Sequence, residues 1–96
     1  MESLAPYLDE LKKLKGLEKD VDLARFLKVS RAYISQLRGG MYMGEVKCFE
    51  VAEMLKREPL ELLSLNQVLR NTERKVCNYW YEVHLQTKIK KNSSPD

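Results

Sequence analysis

Apolar side chains recur along this chain at intervals of three and four, the spacing that lays them on one face of an α-helix, and no segment alternates as a half-buried strand would. Between Pro6 and Lys15 the apolar positions are Tyr7, Leu8, Leu11 and Leu14, with Pro6 suited to a first turn and Gly16 to a stop. Leu23, Ala24 and Leu27 share a face in a second helix over about Asp20 to Leu27, and Asp20 and Asp22 suit its positive N-terminal end. Lys28 and Val29 form a turn, and Ser30 can cap a third helix, Arg31 to Arg38, with Ile34 and Leu37 turned inward and Gly39 and Gly40 ending it. The segment Gly39 to Gly44 reads as a loop, after which Val46, Phe49, Ala52 and Leu55 mark a fourth helix. Pro59 opens a fifth with Leu62, Leu65, Val68 and Leu69. Asn71 and Thr72 offer a break and a new cap, and a sixth helix follows with Val76, Trp80, Val83 and Thr87 on one face. The expectation is an all-α chain whose polar end, from residue 91, is disordered.

Length and composition narrow the class. At 96 residues and 44% apolar content, with 4 glycines and 3 prolines, the chain fits one ordinary domain rather than a repeat or a flexible linker. The net charge of +3 is too small to imply a nucleic-acid partner by itself. Its distribution says more. Arg25, Lys28, Arg31, Arg38 and Lys47 face a single acid, Glu45, between positions 25 and 47, whereas acids outnumber lysines before Arg25. Cys48 and Cys77 are far apart and His84 is the only histidine, so neither a zinc cluster nor a redox pair is expected, and the thiols read as reduced and structural. The N-terminus lacks the pattern of a signal peptide and no apolar run approaches a membrane span, so a soluble, cytoplasmic protein with no membrane partner is expected.

The string from Asp20 to Gly40, DVDLARFLKVSRAYISQLRGG, meets the requirements of two short helices that cross closely. Ala24 is the small residue where the axes approach, Val29 plugs the turn, and Ser30, Ile34 and Leu37 cap and anchor the second helix. The spacing of Leu23, Ala24, Leu27, Val29, Ser30, Ile34 and Leu37 resembles the Cro and phage-repressor type of helix-turn-helix family over about Tyr7 to Leu63. The ending, with its LeuGluLeuLeu and TyrTrpTyr, is more loosely similar to small regulators encoded by phages and prophages. The resemblance implies a lambda-repressor-like five-helix domain over residues 1–70, with the helix-turn-helix at 20–38 and an additional C-terminal helix at 71–90 for dimerisation or packing. Two departures stand out. The family's turn glycine, which takes a left-handed conformation, is Lys28 here, at a cost on the order of 1 kcal/mol. The family's phosphate-touching glutamine is Asp20, to which that contact is not carried over.

The same resemblance implies a sequence-specific transcriptional regulator, a repressor that binds double-stranded operator DNA as a homodimer with its reading helices about 34 Å apart. Ser30, Arg31, Ala32, Ser35 and Gln36 then face base edges, where Arg31 suits guanine, Gln36 adenine and Ala32 a thymine methyl. Lys28, Arg38, Gly40 with the backbone of its loop, Tyr42 and Lys47 are the phosphate candidates. Leu65, Leu69, Val76, Trp80 and Val83 form the expected dimer interface, unless the sixth helix folds back on its own domain. No enzyme, cofactor or metal is expected, because His84 has no nucleophile or carboxylate at motif spacing. A competing reading keeps the fold and makes residues 60–87 grip another protein, as an antitoxin or antirepressor would.

Overall fold

A computed structural model describes the backbone of residues 2–93 and the side chains of residues 2–89. The fold is all-α, with six helices and no strand among the described residues. They fall into two compact units, Met1–Met41 and Tyr42–Asp96, and in the second the sixth helix packs chiefly on the fifth.

The first unit holds α1 (Ala5–Lys15), α2 (Asp20–Leu27) and α3 (Arg31–Arg38). In α1 the buried stripe is Tyr7, Leu8 and Leu11, continued by the N-cap Leu4, while Leu14 is 56% exposed, contrary to the expected face. A repeat of three from Leu8 to Leu14 drifts around the helix by about 60° per step, whereas alternating four and three holds one side. Gly16 ends α1 with φ 67°, and the Leu17 N–H closes the last turn on the Lys12 carbonyl at 2.8 Å. Lys28 takes the left-handed conformation at φ 61°, ψ 43°, as the turn requires. The Val29 N–H then returns to the Ala24 carbonyl at 2.9 Å. Ser30 accepts the Tyr33 N–H at 3.0 Å and so caps α3. Of the glycines after α3, Gly40 has the positive φ, 106°, while Gly39 lies at −83°, where any residue fits.

The second unit holds α4 (Glu45–Met54), α5 (Pro59–Arg70) and α6 (Arg74–Ser93), with α5 packed against both α4 and α6. The expected face of α4 is rotated: Val46 is 74% exposed and Phe49 is also exposed, while Cys48, Val51, Ala52 and Leu55 are buried. Positions 48, 51, 52 and 55 alternate three and four, which is the better stripe. Lys56, at φ 57°, is a second left-handed lysine, and it turns the chain toward Pro59. The break before α6 uses Glu73, whose carboxylate accepts the Lys75 N–H at 3.3 Å, rather than Thr72 as the cap. The helix reaches Ser93, so residues 91–93, expected to be disordered, are helical; residues 94–96 lie outside the described residues.

Polar side chains fix the interior of this unit. Asn66, 2% exposed on α5, accepts the Met43 N–H and donates to the Met43 carbonyl, each at 2.7 Å. Glu61 is 0% exposed and meets the Arg57 guanidinium at 3.0 Å. Buried His84 of α6 lies 2.7 Å through Nδ1 from the Glu61 carbonyl, which can only accept, so Nδ1 carries the proton.

Two stability measurements follow. Asn66→Ala strands two buried backbone groups and should cost about 2 to 4 kcal/mol in urea unfolding. Lys28→Gly relieves a left-handed strain of about 1 to 2 kcal/mol, offset by the greater freedom of glycine in the unfolded chain, and should stabilise by about 0.5 to 1 kcal/mol.

Candidate nucleic-acid interface

With Ile34 and Leu37 buried, the helical repeat leaves Ala32, Ser35 and Gln36 on the opposite side of α3 and Arg31 on its flank, all four exposed. The Arg31, Ser35 and Gln36 side chains make no hydrogen bond or ion pair among the described residues, so their donors and acceptors face solvent. Ser30 is exposed, but its oxygen already serves as the cap, which leaves it one hydroxyl hydrogen to donate. Lys28 is exposed one turn before α3 begins.

Arg38 stands differently from its expected role. Its Nε donates to Asp20 Oδ2 at 2.8 Å, and its Nη2 donates to Asp20 Oδ1 at 2.9 Å and to Asp9 Oδ1 at 2.8 Å. Lys12 adds a 3.1 Å bond to Asp20 Oδ1. Two carboxylates therefore hold the guanidinium that was expected on phosphate, because α1 and α2 bring Asp9 and Asp20 within its fork. The Arg38 fork beside Asp20, helped by Lys12 and opposed by partial burial, holds that carboxyl down at about 2. Arg38 is itself pushed further up, first by its bond to Asp20. Arg31 and Arg38 line a shallow depression of about 480 Å³ with Asp9, Lys12, Lys19 and Asp20.

The loop after α3 also departs from expectation. The N–H groups of Gly39, Gly40 and Met41 already donate to the carbonyls of Ser35, Gln36 and Leu37, so the Gly40 backbone presents no open amide nest for a phosphate. Tyr42 and Lys47 belong to the second unit. There the Arg70 guanidinium lies 5.1 Å from the Tyr42 ring centroid, and Lys47 reaches Glu50 at 3.5 Å.

No family model, curated protein or solved structure matches this chain.

Of the expected dimer residues, Leu65 is buried within its own chain, where α5 is covered by α4 and α6. Leu69, Trp80 and Val83 are half-buried and Val76 is exposed. Within the chain α6 packs on α5. Among the described residues no three of His, Cys, Asp and Glu could share a metal ion, and no helix is long and apolar enough to cross a membrane. Burial, with Glu45 nearby, pushes the Cys48 thiol up to about 11, which suppresses its thiolate.

The depressed Asp20 carboxyl makes stability depend on acid. An unfolded aspartate titrates near 3.9, so the ion cluster contributes fully above about pH 4 and is lost as pH falls through 2. Solvent screening limits that contribution to about 1 to 2 kcal/mol. Urea unfolding of the wild type and Asp20→Asn between about pH 2 and 5 should show a gap that closes toward the acid end.

Proposed function

We propose that the chain is a cytoplasmic, double-stranded DNA-binding protein whose α3 enters the major groove, and that it acts as a repressor-type transcriptional regulator by occupying operator DNA. The observation that carries the reading is the exposed side of α3, where Arg31, Ala32, Ser35 and Gln36 stand together on a helix capped by Ser30 and anchored from behind by Ile34 and Leu37. A planar guanidinium and a primary amide on one such side suit the donor and acceptor pattern of base edges in the major groove. Lys28 and Lys19 are exposed and supply phosphate contacts. Arg38 does not join them, being held by Asp20 and Asp9. The family resemblance of the α2 to α3 spacing points the same way. In this reading two copies associate through Val76, Trp80 and Val83 of α6, and their reading helices enter successive major grooves.

A second reading has its own support. Leu60, Val76, Tyr79 and Ile89 are exposed apolar residues of α5 and α6, which suits a protein partner gripped through this region, as in an antitoxin or antirepressor. Light scattering together with co-purification separates the two: a homodimer with no protein partner supports the first, a stoichiometric partner the second.

Selection from random duplexes, followed by anisotropy at matched salt, tests the DNA reading. Arg31→Ala and Gln36→Ala should each weaken the selected duplex about tenfold to a hundredfold and random duplex far less. No enriched sequence, or equal losses on both duplexes, rules out the assigned reading role.

A further inference from the structure

The ion cluster of Asp9, Lys12, Asp20 and Arg38 joins three helices and lines the depression that Arg31 also borders. Arg38 stands at the C-terminal end of α3, and its bonds run backward to Asp20 at the start of α2 and to Asp9 in the middle of α1. Both Nη2 hydrogens and the Nε hydrogen are engaged, a planar fork that lysine cannot reproduce. Two positive and two negative groups cancel within the cluster, while Lys19, Arg31 and one acid, Glu18, line the same depression with no ion-pair partner among the described residues, a local surplus of one positive charge.

From this geometry we infer that Arg38 is a positioning residue for the exposed side of α3. It acts through Asp20 and Asp9, holding α3 to α2 and α1, and it neutralises two carboxylates that would otherwise repel a polyanion approaching Arg31 and Lys19. It makes no phosphate contact of its own. The second role rests on the DNA reading above; the first does not. Without Arg38 the cluster carries a net negative charge, since only Lys12 remains against Asp9 and Asp20.

The test compares the full chain with Arg38→Gln, Arg38→Lys and the double variant Arg38→Gln/Asp20→Asn. Anisotropy is measured on selected and random duplexes between about 50 and 200 mM KCl, and amide exchange is followed at Ile34 and Leu37. Arg38→Gln should weaken both duplexes about tenfold with an unchanged salt slope, and adding Asp20→Asn should restore most of that loss, because the unmasked charge is gone. A salt slope that falls by about 1 and an affinity that stays low in the double variant would make Arg38 a phosphate ligand and overturn the masking role. The Ile34 and Leu37 amides should exchange about tenfold faster in Arg38→Gln, while those of α6 are unaffected. Unchanged exchange in α3 overturns the positioning role. If the wild type binds no duplex, the DNA reading fails, the masking role fails with it, and the exchange comparison alone decides positioning. Arg38→Lys keeps the charge without the fork and should fall between. It carries the same exchange comparison if Arg38→Gln does not fold.

Discussion

The orientation of α3 depends on how one guanidinium is shared: Arg38 binds Asp20 through two parallel hydrogen bonds and Asp9 through a third. An eight-residue helix is too short to persist alone, so its direction must come from contacts with its neighbours. Ile34 and Leu37 supply burial, which is strong but weakly directional. The planar fork of Arg38 adds direction, because it fits a carboxylate in few geometries. The left-handed Lys28 and the Ser30 cap then set where the helix begins. With both ends defined, the exposed side carrying Arg31, Ala32, Ser35 and Gln36 has a single presentation to solvent.

The second unit solves a comparable problem with buried polar groups. Asn66 satisfies both backbone groups of Met43, Glu61 receives Arg57, and His84 donates to the Glu61 carbonyl. Among the described residues no buried side-chain nitrogen or oxygen lacks a partner. Apolar stripes alone tolerate sliding of one helix on another, whereas a missed hydrogen bond in such a place costs about 1 to 3 kcal/mol. These residues thus select one register of α4, α5 and α6. Histidine, glutamate and asparagine so placed hold the packing of this unit.

Several features were legible in the residues themselves. The number and order of helices, the Ser30 cap and the inward position of Ile34 and Leu37 follow from local rules of periodicity and capping, while the left-handed turn at Lys28 came from the family resemblance, against its local preference. The faces of α1 and α4 were not. Leu14 and Val46 satisfy a three-residue spacing yet lie outside, because a helix with more apolar positions than its partner can cover buries the better-aligned subset. Leu65, expected at an interface, lies instead in the interior that α6 helps to close.

Short-range pattern by itself determined that the chain is helical, the number and order of its helices, and which side of α3 is polar, since those depend on residues within a turn or two of each other. Tertiary structure alone decided what the charges do. Arg38 and Asp20 lie 18 positions apart, as Met43 and Asn66 lie 23 apart, and nothing local pairs them. A charged side chain has no preferred partner until folding brings one within hydrogen-bond reach. That is how an arginine expected on phosphate became the clasp of three helices, while Arg31, seven residues earlier on the same helix, kept its guanidinium exposed.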